Sequence, residues 1–292
     1  MSFGEVLTAM VTPFNDELGV DYKQAAKLAQ RLVDNGSDGL VVLGTTGEVP
    51  TLTKEEKLKL LETVVEQVGN EATIIAGSGS YSTADSIEFS QQAAKIGVDA
   101  LMLVGPYYNK PPQYALYNHF VEIANSVELP IVIYNVPSRT GRNIKPETVV
   151  KLAGIENIKA VKEASGNICQ INKLARLTDD EFKIYSGDDS LTLPAIAVGA
   201  EGVISVASHL VGEQIKAMIQ NYKSGNVNQA KEINQELGEL FNALFITTNP
   251  IPIKKALNLS GLEVGKLRAP LYELPEDLVE KLKETLVKYE LI

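Results

Sequence analysis

A lysine stands inside one of the most apolar stretches of the chain. Lys162 belongs to the run IKAVKEAS, where apolar side chains would surround its ammonium group. Burial lowers the pKa of a lysine, and the neutral amine can attack a ketone to form an imine. The alternative is an ion pair with Glu163 or another carboxylate, although adjacent residues of a strand face opposite sides. Position alone leaves both interpretations open.

Polar residues also follow other apolar runs. Tyr134 ends the run before that of Lys162, where it could shuttle protons or be an ordinary core tyrosine. Thr45 and Thr46 lie in the turn GTTGE, which could hold a carboxylate, relay a proton or serve only as a turn. Arg139 follows a proline-fixed turn and could bind a carboxylate through two hydrogen bonds or form a surface salt bridge.

Two adjacent tyrosines, Tyr107 and Tyr108, open the rigid segment YYNKPP after another apolar run. Such a segment could line a binding site or form a subunit contact. Ordinary loop packing explains a pair of tyrosines equally well, so the residues alone do not decide between these interpretations.

Eight short apolar runs alternate with segments of helical spacing. The runs begin near residues 7, 39, 73, 99, 130, 158, 182 and 202. Their nearly continuous apolar character is typical of parallel strands buried on both faces. Parallel strands require crossover helices, which leaves a closed barrel or an open doubly wound sheet. Because NDELG rather than G-x-G-x-x-G follows the first run, we predict an α/β fold of the (β/α)8 TIM barrel class.

Capping signals mark the helices. Thr53 and Glu56 form a capping-box pattern, and Gly69 ends that helix. Its predicted apolar stripe consists of Leu58, Leu61, Val65 and Val68. Further helices are expected from Ser82 and Thr83 to Gly97, and from Pro146 to Gly154.

The strand signal ends near residue 224. We therefore predict a catalytic barrel over residues 1–224 and additional C-terminal helices over residues 225–292, packed on the barrel. In a barrel, functional groups gather at the carboxyl ends of the strands. The lysine, tyrosine, threonine and arginine candidates described above all lie at or beside such ends.

Composition narrows the classes of partner. Hydrophobic residues make up 45% of the 292 residues, and charged residues make up 22%, as in ordinary globular proteins. The net charge of −10 disfavours nucleic acid and anionic membranes as partners. The opening MSFGEVL shows no leader pattern, so we expect a cytoplasmic location. One cysteine, Cys169, and two histidines predict no thiolate- or imidazole-rich metal site.

The motifs together resemble the dihydrodipicolinate synthase family, within the pyruvate-dependent class I aldolases and lyases. The ordered series runs through LTAMVTPF, GTTGE, PYYNKP, YNVPSRTG, VKEASGN, SGDD, GVISVAS and NPIPIKKAL. It spans essentially the whole chain. Its order and spacing are far more specific than any single motif.

The resemblance implies a role for each candidate. Lys162 would form an imine with pyruvate, and Tyr134 would be the central acid and base. Thr45 would connect Tyr134 to Tyr108 in a proton relay. Thr46 would help to hold the pyruvate carboxylate.

The resemblance also implies a second substrate and an oligomer. Arg139 would bind the carboxylate of L-aspartate 4-semialdehyde, while Gly187 and the backbone at Ile204 would complete the pocket. Tyr108 would reach across a tight dimer interface, at which Tyr107 would pack. In the usual bacterial form of the family such dimers pair into a homotetramer, and the sequence leaves dimer and tetramer both open.

The implied reaction condenses pyruvate with the semialdehyde to give 4-hydroxy-tetrahydrodipicolinate, the first committed step toward diaminopimelate and lysine. It requires no metal or organic cofactor. Two alternatives stay open at this point. A related lyase acting on sialic acid or a keto-sugar acid would not need Arg139, and a non-catalytic binding barrel would not trap pyruvate covalently.

One departure from the family concerns regulation. Lysine-inhibited relatives commonly carry a histidine in the helix after GTTGE and an asparagine after the third strand. This chain has Lys54, Lys57 and Tyr81 in those places. A lysine ammonium would meet like charge there, so we predict weak or absent inhibition by lysine.

Overall fold

The computed structural model describes residues 2–292. Eight parallel strands close into one barrel, in which each strand pairs with its neighbours in chain order and β8 pairs with β1. The strands are β1 Val6–Ala9, β2 Gly39–Val42, β3 Thr73–Gly77, β4 Ala100–Val104, β5 Ile131–Asn135, β6 Ile158–Glu163, β7 Lys183–Ser186 and β8 Gly202–Ser205. All eight coincide with the apolar runs, and the predicted barrel is confirmed.

Helices surround the barrel and continue beyond its last strand. They are α1 Tyr22–Asp34, α2 Lys54–Val68, α3 Thr83–Ile96, α4 Gln113–Ala124, α5 Pro137–Thr140, α6 Pro146–Ala153, α7 Ile168–Leu177, α8 Thr192–Ala197, α9 Ser208–Lys223, α10 Val227–Ala243, α11 Ile251–Leu259 and α12 Glu276–Lys288. The reciprocal capping box of Thr53 and Glu56 opens α2 as predicted. Helix α11 lies within NPIPIKKAL, a segment for which no helix was specifically predicted. Pro252 is tolerated because it lies in the first helical turn.

The predicted apolar stripe of α2 was partly wrong. The helix buries Leu60, Leu61, Val64 and Val68. Leu58 and Val65 instead border a groove beside Gln92 and Ile96 of α3. The helix contacts two neighbouring helices as well as the sheet, so its apolar residues spread over more than one face.

The barrel interior has its own core, separate from the layer between strands and helices. It contains Phe3, Leu7, Ala9, Val41, Ile75, Ala100, Met102, Val132, Tyr134, Val136, Ala160, Tyr185 and Ile204. The Tyr185 hydroxyl donates to the carbonyl oxygen of Gly4 at 3.0 Å and accepts from the Phe3 N–H group at 3.2 Å. These side chains fill the barrel, as alternating strand residues do in this fold class.

A buried ion pair fastens α11 to the loop after β2. Lys254 Nζ lies 2.8 Å from Glu48 Oε1, and both side chains are almost fully buried. Lys254 also donates to the carbonyl oxygens of Thr12 at 3.0 Å and Lys266 at 2.7 Å. Breaking such a pair from one side leaves an unpaired buried charge, which costs about 3–5 kcal/mol. The segment after α10 is thus held firmly against the turn that contains Thr45.

Within residues 2–292, no helix is both long and apolar enough to cross a membrane.

Candidate active site

Lys162 and Tyr134 lie side by side inside the barrel. Strands β5 and β6 pair Tyr134 directly with Lys162, and both residues are only 6% exposed. Lys162 Nζ lies 4.6 Å from the centroid of the Tyr134 ring. The strand register thus makes the two side chains neighbours.

The pKa of Lys162 is lowered to about 8, chiefly by burial; the nearby Asp189 carboxylate acts against this lowering, and the Arg139 guanidinium adds to it. About one lysine in ten is then neutral at pH 7. Glu163 is not its partner, because the Glu163 carboxylate bonds Asn135, Ser165 and Gln170 on the other face of the strand. This geometry favours a nucleophilic amine over a structural ion pair.

The Tyr134 hydroxyl is buried beside Thr45 and Arg139. Burial raises its pKa, while the charge of Arg139 and the hydroxyl of Thr45 lower it. Thr45 lies at the start of a short 3₁₀ turn that follows β2. The hydroxyls of Tyr134 and Thr45 thus lie close enough to interact, and their part in a proton relay stays a prediction.

Thr46, the next residue of this turn, is buried and meets a distant part of the chain. The Asn249 amide donates to the Thr46 hydroxyl at 3.0 Å. The carbonyl oxygen of Asn249 accepts a hydrogen bond from Arg139 Nη2 at 3.1 Å. Asn249 Oδ1 is buried and has no hydrogen-bond partner within residues 2–292. A bound substrate with an N–H or O–H group could satisfy this acceptor.

Arg139 carries a largely uncommitted guanidinium group. Across the part of the chain that the structure describes, no carboxylate forms a salt bridge with it. Its one bond to the Asn249 carbonyl group leaves most of its donors available. The surface salt bridge considered from the sequence is therefore absent among the described residues.

A cavity of about 320 Å³ opens above these groups at the carboxyl ends of the strands. Thr45, Thr46, Tyr134, Arg139 and Lys162 all line it. A second cavity of about 220 Å³ shares Thr45, Tyr134 and Arg139 as its wall and extends to Tyr107. The sequence candidates are thus brought together in one place.

Gly187 and Ile204 occupy different parts of this region. Gly187 lines the cavity beside Lys162. A Cβ atom at position 187 would lie 2.7 Å from the Ala164 Cβ and 3.1 Å from the Lys162 Cε. Ile204 lies on β8, fully buried within the barrel interior.

We expect Gly187→Ala to slow imine formation about 10-fold or more, because the added methyl would displace the lysine side chain. The measurement is the rate at which borohydride traps pyruvate on the protein. Gly238→Ala is the matched control, since a Cβ atom there would meet nothing within 4 Å. Equal trapping by the parent and Gly187→Ala would contradict the prediction.

The two tyrosines after β4 differ in their environment. Tyr107 packs edge-on against Tyr81, with ring centroids 5.3 Å apart, and reaches the second cavity. Tyr108 has positive φ and is 92% exposed, so its ring points away from the cavity of its own chain. Their roles at a subunit interface stay predictions.

Sequence reasoning missed several residues that complete the site. Asp189 is buried, and its carboxylate accepts hydrogen bonds from the Ser205 hydroxyl and from the N–H groups of Val206 and Ala207. The cavity wall also includes Phe241, Asn242, Phe245 and Asn249, from the end of α10 and the segment after it. Only the Asp-Asp pair of SGDD offered a local signal, because the other four residues lie far from the strands in sequence.

No group of three or more metal-binding side chains occurs within the described residues 2–292.

The chain also matches a known protein family. The profile of the dihydrodipicolinate synthetase family matches residues 2–289. The chain belongs to this family. The 4-hydroxy-tetrahydrodipicolinate synthase of Heliobacterium modesticaldum is 55% identical over 289 residues, covering 99% of this chain and 96% of its own.

Solved structures of related enzymes share the fold closely. Dihydrodipicolinate synthase from Cyanidioschyzon merolae, with lysine bound, gives a TM-score of 0.98 at 45% identity, covering 99% of both chains. A monomeric dihydrodipicolinate synthase variant gives a TM-score of 0.97 at 39% identity, covering 99% of this chain and 98% of its own. The barrel and the helices after it are thus common to the family.

Proposed function

We propose that this protein is a lyase that condenses pyruvate with L-aspartate 4-semialdehyde to give 4-hydroxy-tetrahydrodipicolinate, the first committed step toward diaminopimelate and lysine. The observation that carries the proposal is the pairing of Lys162 with Tyr134 at the cavity floor, where burial lowers the pKa of the lysine to about 8. Relatives that are 50–56% identical over nearly the whole chain carry the name of this enzyme.

The first stage joins pyruvate to the protein. The neutral Lys162 amine attacks the ketone carbon, and the ketone oxygen leaves as water, which gives a protonated imine. Tyr134, with Thr45 beside it, carries the protons between these atoms. Thr46 lies at the cavity wall, where its hydroxyl and the turn of backbone around it suit the pyruvate carboxylate.

The second stage forms the carbon–carbon bond. The imine withdraws electrons, so that the pyruvate methyl group loses a proton and becomes an enamine carbon. That carbon attacks the aldehyde of the second substrate. The amine of the second substrate then attacks the imine carbon and displaces Lys162, which regenerates the free lysine and closes the ring.

Arg139 is the residue that we assign to the second substrate. Its guanidinium lines the cavity with most of its donors uncommitted and suits a carboxylate. Gly187 leaves space beside the lysine, and we place the backbone of Ile204 at the pocket floor. We propose that neither a metal nor an organic cofactor takes part, since the imine itself is the electron sink.

We further propose that the protein works as a tight dimer, which pairs into a tetramer, in the cytoplasm. The exposed ring of Tyr108 supports this, because a relay partner for Thr45 would then come from the neighbouring subunit. Sedimentation of the purified protein tests the assembly. A fully active monomer would refute the dimer proposal.

Reduction by borohydride in the presence of pyruvate tests the central proposal. We expect a stable adduct on the peptide that contains Lys162, found by mass mapping. A condensation assay with the semialdehyde then distinguishes the synthase from a lyase of keto-sugar acids. An unmodified Lys162 would refute the imine, and an adduct without condensation would refute the synthase.

We expect little inhibition by lysine, less than about 2-fold at about 1 mM. Lys54 pairs with Glu88 at the surface, and half-buried Lys57 adds a second cation whose pKa burial lowers. Glu88 offsets the charge of Lys54, whereas Lys57 forms no salt bridge within the described residues, so its ammonium disfavours a cationic ligand. The check is a steady-state assay with added lysine, in which inhibition at micromolar concentrations would contradict the prediction.

A further inference from the structure

Behind the catalytic pair, on the outer face of the barrel wall, lies a cluster of buried polar side chains. Strands β5 and β6 pair Tyr134 with Lys162 and, one residue on, Asn135 with Glu163. Successive residues of a strand face opposite sides. Asn135 and Glu163 therefore lie directly behind the two residues that face the cavity.

The cluster binds the two strand ends together. The Asn135 amide donates to Glu163 Oε1 at 3.1 Å and to Oε2 at 3.0 Å. The remaining donors to this carboxylate are the Ser165 N–H group at 2.8 Å and the Gln170 amide at 2.8 Å. The side-chain oxygen of Asn135, Oδ1, accepts from the Ile144 N–H group at 2.9 Å. Both groups are thus fully engaged.

The Glu163 carboxylate is 2% exposed and pairs with no cation among residues 2–292, since only neutral groups donate to it. A buried charge without a counter-ion is costly, so stability alone does not account for it. Glu163 is also absent from the charges that act on the Lys162 pKa, which points to geometry rather than electrostatics.

A register shift near the base of the same strand pair makes this cluster important for alignment. Ile131 pairs with Ile158, but Val132 pairs with Ala160, so that β6 has one extra residue there. A slip of one residue would turn Lys162 to the outer face. The ladder below the shift therefore does not fix the register above it.

We propose that Asn135 and Glu163 form a clamp that fixes the register of β5 against β6 and so positions the Tyr134 hydroxyl against the Lys162 amine. The clamp rests on the proposed function, since it serves the proton transfers to and from the imine. Asn135 and Glu163 touch no substrate and act through Tyr134 and Lys162.

Glu163→Gln tests the clamp, because glutamine keeps the shape but turns an N–H group toward the donors of Asn135 or Gln170. The reaction to follow is exchange of the pyruvate methyl hydrogens for deuterium, which needs the imine and proton transfer but no second substrate. We expect the exchange rate to fall about 10-fold, while the final extent of borohydride trapping changes less than about 3-fold. Glu181→Gln, an exposed control, should leave both unchanged.

A double-mutant cycle with Tyr134→Phe separates positioning from general damage. If the clamp acts through Tyr134, Glu163→Gln should cost less than about 2-fold in exchange when Tyr134 is already phenylalanine. The same 10-fold loss in both backgrounds would overturn the clamp. Should Glu163→Gln fail to fold, as judged by its melting curve, Asn135→Ala replaces it, because that change removes the side-chain link between the strands, together with the Asn135 contacts to Asn143 and Ile144.

The parent protein distinguishes the two proposals. Trapping and exchange in the parent, with equal exchange in the clamp variants, would overturn the clamp alone. A parent that neither traps pyruvate nor exchanges its methyl hydrogens would overturn the proposed function as well.

Discussion

Replacing Lys162 by methionine is expected to abolish condensation and yet to raise the stability of the folded protein near neutral pH. Without the amine no imine forms, so we expect kcat/KM to fall at least about 1,000-fold, or about 4 kcal/mol of transition-state stabilisation. Methionine has a similar length and no charge, so it fills the same space within the barrel. Activity and stability are thus predicted to move in opposite directions.

The sign of the stability change follows from the Lys162 pKa. Burial lowers that pKa to about 8, below the value of about 10.4 in an unfolded chain. Below pH 8 both states carry the proton, and the cost of burying the ammonium, roughly 3 kcal/mol, is fully present. It diminishes as the pH rises through 8 toward 10. The gain from methionine should therefore be largest at pH 7 and smaller at pH 9.

Thermal melting at the two pH values measures this change, and a coupled condensation assay measures activity. Lys159→Met on the same strand is the control, since Lys159 is only partly buried and lies outside the cavity. Condensation by Lys162→Met would refute the role of the lysine. A lower melting temperature than that of the parent at pH 7 would refute the cost that we assign to its burial.

Arg139→Ala is expected to lose condensation while it keeps the reaction with pyruvate. Two charge-assisted hydrogen bonds to a carboxylate contribute about 3–4 kcal/mol, so kcat/KM for the semialdehyde should fall about 100- to 1,000-fold. Borohydride trapping of pyruvate should persist. The pH dependence of trapping should shift to higher pH, because Arg139 lowers the pKa of Lys162 and its removal lets that pKa rise.

Two variants serve as controls for this result. Arg139→Lys keeps the charge but loses the planar fork, so we expect only partial recovery. Arg142→Ala removes a nearby guanidinium that bonds the Lys110 carbonyl oxygen at the surface, and it should be neutral. Unchanged condensation by Arg139→Ala would refute the assignment of Arg139 to the carboxylate of the second substrate.

The barrel was predictable because its signals are local. Nearly continuous apolar runs at even spacing carry the information for parallel strands, and capping residues such as Thr53 and Ser82 mark helix starts. Helix α11 was not indicated by its local sequence, because prolines usually interrupt a helix. Likewise, the buried face of α2 is determined by the helices and strand that pack against it, and the sequence of α2 alone does not specify them.

The site was predictable where strand position determines it. Lys162 and Tyr134 lie at matching levels of adjacent strands, so alternation and register bring them together. Asn249 was not predictable in this way, because its contact with Thr46 joins segments far apart in the chain. The role of Tyr108 stays a prediction, as does the division after residue 224, although residues from both sides of it line the same cavity.

The contacts of Asn249 and Lys254 bear on the order in which the protein matures. During synthesis the eight strands leave the ribosome before α11, and N-terminal parts fold first. The barrel can then close while one wall of its cavity is still missing. Asn249 reaches Thr46, and Lys254 reaches Glu48, only after nearly the whole chain has been made. A nascent barrel of this kind would therefore be folded before it could be active.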